Sequence, residues 1–147
     1  MEGTVEAGVD LGQVSGSDII YDSLTNNWTL ELGPATITSC RIDSSRFEGQ
    51  SFTMPVVCPY NMDELRLLAE SKAISAFREM ALDEGLPAMA EREAKLVLGN
   101  FLSAVTGSDN VSIVFESEPV VDFPESCLRD PPDGWKFDEE SDSWVRE

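Results

Sequence analysis

Apolar and polar residues alternate in the first part of the chain, as they do in half-buried β-strands. Residues 5–11 show this alternation, and three further short runs rich in β-branched and aromatic residues follow at 18–22, 28–32 and 36–42. Serine, glycine, asparagine and proline residues typical of turns separate the four runs. The pattern predicts an antiparallel meander of four strands.

The middle of the chain has apolar residues at helical spacing. Before Gly85 the apolar positions are Leu65, Ala69, Ala73, Ala76, Phe77 and Met80, and after it they are Ala90, Ala94, Val97, Leu98, Phe101 and Val105. Gly85 and Pro87 are typical of the end of one helix and the first turn of the next. We expect the two stripes to face each other in a helical hairpin, with Phe77 and Phe101 as the largest core residues.

Residues 111–115 form one more apolar run after the predicted helices. A single strand needs a sheet to join, and the N-terminal strands supply one. The sequence therefore predicts an α+β domain over residues 1–116. Its antiparallel sheet of short strands packs against an α-helical hairpin, in the order β-β-β-β-α-α-β.

Residues 117–147 form an acidic tail, with ten acidic residues, three basic residues and four prolines. This composition is typical of a disordered segment. However, Trp135, Phe137 and Trp144 stand on either side of a short acidic turn, so the tail could form a small tryptophan-containing hairpin. In one interpretation these aromatic residues pack on the protein's own surface. In the other they bind a partner protein, and the acidic residues select a basic surface on it.

The charge of the chain excludes several classes of function. Its 147 residues include 28 acidic and 10 basic residues and no histidine, which gives a net charge of −18. Without histidine, a Ser-His-Asp triad, a Cys-His pair and imidazole metal ligands are impossible. The acidic excess opposes binding to nucleic acid and direct contact with an anionic membrane.

Acidic residues are also the main candidates for chemistry. The pairs Glu6–Asp10 and Asp83–Glu84 could serve acid–base catalysis, and the cluster at 138–142 could attract a divalent cation. A solvated acidic surface explains all of them, and no nucleophile, phosphate-binding or calcium-loop motif is present. We therefore predict no catalytic, cofactor-binding or metal-ligating residues and no cofactor.

The function that these observations favour is a non-enzymatic interaction or assembly module with a protein partner. Two alternatives stay open at this point. One is an enzyme that depends on carboxylates or a divalent metal, and the other is an acidic mimic of nucleic acid.

The three cysteines, Cys40, Cys58 and Cys127, are few, odd in number and far apart. This spacing fits neither a disulfide framework nor a zinc site. We expect reduced thiols in a reducing, cytoplasmic compartment, and a Cys40–Cys58 bridge is the alternative if their strands are adjacent.

Four short segments follow one another along the chain: VEAGVDL at residues 5–11, LELGPA at 30–35, ALDEGL at 81–86 and AEREA at 90–94. In this order they resemble an uncharacterised bacterial family of unknown function, DUF4230. The resemblance covers residues 4–116 and implies no catalytic or binding residues. It implies either a soluble relative or the soluble part of a membrane-anchored bacterial protein. An upstream strand missing from the sheet would leave an open edge, so we expect a monomer or an edge-paired dimer.

Overall fold

A computed structural model describes residues 2–43, 62–116, 122–141 and 143–146. The elements in chain order are β1 (Glu2–Gly8), β2 (Ile19–Asp22), β3 (Asn27–Leu32), β4 (Thr36–Asp43), α1 (Met62–Asp83), α2 (Leu86–Thr106), β5 (Val111–Phe115), β6 (Trp135–Asp138) and β7 (Ser143–Arg146). This order confirms the predicted α+β class, with four strands before the helical pair and β5 directly after it. The strands β6 and β7 follow in the C-terminal segment.

The strands are arranged differently from the predicted single meander. In the described ranges they form three sheets, β1–β4, β2–β3–β5 and β6–β7. β2 and β3 are antiparallel, whereas β5 runs parallel to β3. A tight turn can join only antiparallel strands, but the chain passes through both helices between β3 and β5, so β5 can return in the parallel direction.

Glycine and proline end and start the helices where the sequence predicts. Gly85, between α1 and α2, has a φ of 71°, and Pro87 stands in the first turn of α2. Gly107 has a φ of 67° and its N–H donates to the carbonyl of Ser103 over 2.9 Å. Positive φ angles cost glycine little, so these two residues stop the helices without strain.

The described residues fall into two compact units. The first unit consists of the described residues within Met1–Val5, Ser39–Met80 and Pro124–Glu147, and the second of those within Glu6–Thr38 and Ala81–Phe123. The proposed division of the chain into residues 1–116 and a tail of residues 117–147 stays a prediction.

The core of the second unit lies on the β2–β3–β5 sheet. Leu30 and Leu32 of the central strand β3 are buried, and Leu30 stands between Ile19 of β2 and Ile113 of β5 in the register. Helix α2 packs against β5. These contacts follow from the alternation of apolar residues in β3, which places both leucines on one face.

The core of the first unit is held by a disulfide bond between Cys40 and Cys127, whose Cα atoms are 5.0 Å apart. Both cysteines are buried, as are Leu68 and Ile74 of α1. The prediction of reduced thiols is therefore wrong for these two residues, and the alternative Cys40–Cys58 bridge is wrong as well; Cys58 lies outside the described residues. Sequence spacing could not reveal the pair, because only the fold brings residues 87 positions apart into contact.

The buried faces of the helices are not the predicted stripes. In α1 the buried residues are Leu68, Glu70, Ser71, Ile74 and Ala81. Leu65 and Met80 from the predicted stripe are exposed, and so is Phe101 in α2. Phe77 is half-buried against β1, where a Cβ atom on Gly3 would overlap its ring. Both helices carry apolar residues on more than one side, so helical spacing alone did not identify the side that packs.

Candidate functional site

The C-terminal segment of the first unit is attached to β4 and α1 by several contacts. Next to the Cys40–Cys127 bond, the backbone N–H of Cys40 donates to Ser126 Oγ over 3.3 Å. The hydroxyl of Ser71 donates to the carbonyl of Arg129 over 2.8 Å. These contacts fix the segment that leads into β6 and β7.

A buried carboxylate completes this attachment. Glu70 of α1 is paired with Arg66 over 2.9 Å and with Arg129 over 2.6 Å. The Glu70 side chain is buried, while both arginines reach solvent, so the two guanidinium groups replace the water that the carboxylate has lost. A buried charge is tolerated only when it is paired in this way.

The strands β6 and β7 form an antiparallel hairpin, which we call the tryptophan hairpin. Trp135 pairs with Arg146 and Phe137 with Trp144 in its register. Because side chains alternate along a strand, these four residues share one face. The rings of Phe137 and Trp144 meet edge to face, with their centroids 5.1 Å apart.

The aromatic face of the hairpin lies beside α1, and the two elements form a groove of about 670 Å³. Its lining is mostly apolar and consists of Leu65, Leu68, Ala69, Lys72, Ala73, Ala76, Trp135 and Trp144. The ammonium group of Lys72 lies 3.5 Å from the centre of the Phe137 ring, in a cation–π contact. Small alanine side chains on α1 leave the space that the tryptophan rings border.

One polar atom of Trp135, which lines this groove, lacks a hydrogen-bond partner in the part of the chain that the structure describes. This atom is the nitrogen of the indole N–H, and it is buried. Leaving a buried donor unpaired costs about 1–3 kcal/mol. A small movement of the hairpin that offered this N–H to an acceptor would recover that cost.

The structure brings together the three residues that the sequence singles out for partner binding. Trp135 and Trp144 line the groove, and Phe137 lies under Lys72 next to it. The contribution of α1 was missed, although its signal was present. Leu65, Ala69, Ala73 and Ala76 form a stripe that the spacing assigned to the contact with the second helix, and in the structure they line the groove.

The acidic residues do not converge on a metal site in the described ranges, where no three cysteine, aspartate or glutamate side chains stand close enough to hold an ion. Asp10 accepts hydrogen bonds from the backbone N–H of Gly12 and the side chain of Gln13. Asp138 accepts from the hydroxyl of Ser141 over 2.7 Å and from the N–H of Glu140 over 3.1 Å. These two carboxylates therefore stabilise turns.

The stability of the turn that joins β6 and β7 is expected to depend on pH. The hydrogen bond from the Ser141 hydroxyl, followed by that from the Glu140 N–H, lowers the pKa of Asp138 below its ordinary value of 3.8. A lowered folded-state pKa gives stability that is present above the ordinary pKa and is lost as the pH falls through the folded value. We expect the hairpin to loosen below pH 3.8.

The measurement is the tryptophan emission of a Trp28→Phe variant, in which Trp135 and Trp144 are the remaining tryptophans. Many other carboxylates titrate in the same range, so the same titration is run with Asp138→Asn added. The difference between the two curves isolates Asp138. Identical curves would contradict a role for its ionised form in the turn.

Comparison with known proteins identifies a family. The model of the family described as "Protein of unknown function (DUF4230)" matches residues 1–113, which confirms the resemblance seen in the sequence. No curated protein and no solved structure matches the chain. The matched residues include α1, whereas the tryptophan hairpin and Cys127 lie beyond them. Across the described ranges, neither helix combines the length and the apolar content needed to span a bilayer.

Proposed function

This chain belongs to the DUF4230 family, and we propose that it is a non-enzymatic interaction module that binds a segment of a partner protein. The observation that carries the proposal is the groove between α1 and the tryptophan hairpin, with two tryptophans along an apolar floor. Tryptophan is enriched among the residues that dominate binding energy at protein interfaces, because it brings a large rigid surface and one hydrogen-bond donor.

The chemistry of the groove indicates what the partner segment carries. An apolar side chain fits beside Leu65, Ala69 and Ala73, since burial of apolar surface is the main driving force there. Around it, the partner presents basic residues. Glu139 and Glu140 are exposed in the turn of the hairpin, and Asp133 is exposed just before β6. The whole chain has a net charge of −18, which attracts a basic surface and repels an acidic one.

The hairpin contacts α1 without filling the groove. Phe137 meets Lys72, while Trp135 and Trp144 form one wall of the remaining space. We therefore place the partner segment between the hairpin and α1, with the hairpin still attached to the helix. In this arrangement a carbonyl of the partner is a suitable acceptor for the unpaired N–H of Trp135.

Two synthetic amphipathic peptides with the same leucine pattern test this proposal, one with lysine and one with glutamate at every polar position. Binding is followed by the tryptophan emission of the Trp28→Phe protein. We expect the lysine peptide to bind and the glutamate peptide to bind at least about ten-fold more weakly, a difference of about 1.4 kcal/mol. Equal binding of the two peptides would contradict selection by charge.

Two matched variants test the place of binding. Leu65 and Leu67 are on the same helix and are 38% and 40% exposed, but only Leu65 lines the groove. Leu65→Arg and Leu67→Arg add the same charge and volume at these two positions. We expect Leu65→Arg to weaken the lysine peptide about ten-fold relative to Leu67→Arg. Equal affinities would place the binding site elsewhere.

We further propose that the domain works in an oxidising compartment, as part of a membrane-anchored protein. The buried Cys40–Cys127 bond supports the first part, because disulfides persist where thiols are not continuously reduced. The resemblance to the family supports the second. Lysis of cells directly into a denaturing buffer that contains an alkylating agent labels every free thiol, buried or exposed. We expect Cys40 and Cys127 to stay unmodified, and fractionation of untreated cells to place the protein in the membrane fraction. Labelling of these two cysteines would contradict the oxidising compartment.

A further inference from the structure

Helix α2 exposes an apolar stripe that neither the sheet of its own unit nor the proposed groove uses. Val97, Phe101 and Val105 follow one another at intervals of four residues, so they lie along the same side of the helix. Their exposed fractions are 58%, 61% and 67%. Single exposed apolar residues are common on protein surfaces, but three large ones in a row on one helix indicate an interaction surface. We call these three residues the α2 stripe.

The surroundings of the α2 stripe lack the acidic residues that are abundant elsewhere in the chain. The chain has a net charge of −18, yet α2 as a whole has two acidic and two basic residues. From Leu96 to Thr106 the helix has no charged residue at all, and Phe101 stands in the middle of this stretch. A basic partner finds no carboxylate to pair with here, so the charge that selects a partner at the groove is missing.

We propose that the α2 stripe binds the same stripe of a second copy of this chain. Two acidic molecules repel each other over most of their surface and can approach closely only where both are uncharged. In a two-fold symmetric dimer the two α2 helices run antiparallel, and the uncharged stretch of one copy lies against the uncharged stretch of the other. A stretch centred on Phe101 is therefore complementary to itself.

The order of side chains along the helix fits this arrangement. With the axis at Phe101, the two phenylalanine rings meet, and Val97 of one copy lies opposite Val105 of the other. Ala94 and Ala104, on the same side of the helix, are small enough to let the two helices approach closely. Aromatic pairs and close helix packing are common at the centres of homodimer interfaces.

The size of the α2 stripe determines how strongly we expect the two copies to bind each other. Three side chains on each copy make a small contact, below the roughly 1,200 Å² of total buried area that is usual for stable interfaces. The dimer is therefore weak and reversible, with a dissociation constant on the order of 10–100 μM. Salt screens the repulsion between the two acidic copies, so dimerisation strengthens as ionic strength rises.

Sedimentation equilibrium over a series of protein and salt concentrations tests the proposal. We expect a monomer–dimer equilibrium that Phe101→Glu weakens at least ten-fold, because it places two carboxylates at the two-fold axis. Ile20→Glu is the matched control: Ile20 is 45% exposed on β2, an edge strand of the β2–β3–β5 sheet, and the substitution leaves dimerisation unchanged. Val105→Glu is measured in parallel, in case Phe101→Glu fails to fold.

Two results would overturn the proposal. The first is a protein that stays monomeric at every concentration and salt tested. The second is a dimer that both folded stripe variants leave intact. If Ile20→Glu disrupts that dimer, self-association is assigned to the edge of the sheet. We expect the groove variant Leu65→Arg to dimerise like the wild-type protein, because Leu65 lies on α1 and not on the α2 stripe. Failure of the groove proposal and failure of the dimer proposal are therefore distinguishable.

Discussion

Cys127→Ser is expected to lower the free energy of unfolding by about 2–5 kcal/mol, the usual loss when a native disulfide is removed. The bond joins residues 87 positions apart, so its loss frees a long loop in the unfolded chain. The substitution also places a hydroxyl group at a position that is only 1% exposed. Because a small domain is stable by only about 5–15 kcal/mol, this loss is a large part of the total.

Urea denaturation with and without a reducing agent measures this effect. Reduction should lower the midpoint of the wild-type protein and of the control variant Cys58→Ser, and should leave Cys127→Ser unchanged. This pattern distinguishes the effect of losing the Cys40–Cys127 bond from the effect of replacing a cysteine side chain. A wild-type midpoint that does not respond to reduction would mean that Cys40 and Cys127 are not bonded in solution.

Leu32→Ala is expected to destabilise the protein by about 2–5 kcal/mol, as large-to-small substitutions in cores do. Leu32 is 3% exposed at the end of β3, opposite Phe115 of β5, so the substitution removes a side chain from the core of the second unit. Phe101→Ala should cost less than about 1 kcal/mol, since surface substitutions rarely cost more. The sequence pattern alone predicted Phe101 as a core residue, and truncation of a buried phenylalanine costs about 3–5 kcal/mol.

Thermal or chemical unfolding of the two variants side by side distinguishes these expectations. The measurement is made at a protein concentration below the range of dimerisation, where the α2 stripe contributes nothing through a second copy. A loss at Phe101 as large as that at Leu32 would show that the ring is buried in the monomer. It would then also remove the basis for dimerisation through α2.

The groove joins a part of the chain that lies inside the family match to a part that lies beyond it. Helix α1 belongs to the matched residues 1–113, whereas the tryptophan hairpin follows them. The Cys40–Cys127 bond connects the same two parts. A version of the protein without the tryptophan hairpin therefore lacks the proposed partner site but keeps the α2 stripe.

Local sequence determined the elements of this protein. Alternating residues specify β3, and glycines at positions 85 and 107 end the two helices, because these features act through the backbone of neighbouring residues. Trp135, Phe137 and Trp144 also stand out by composition alone, as aromatic residues in an acidic segment. In each case the physical cause lies within a few positions of the residue concerned.

Tertiary structure decided how those elements combine. The parallel pairing of β5 with β3, the Cys40–Cys127 bond and the groove on α1 all join residues far apart in the chain. Helical spacing showed that α1 has an apolar stripe at Leu65 and Ala69, but an isolated helix holds no information about what covers each side. Burial is a property of the neighbours that the fold supplies. The same sequence pattern therefore led to a groove lining in α1 and to an exposed stripe in α2.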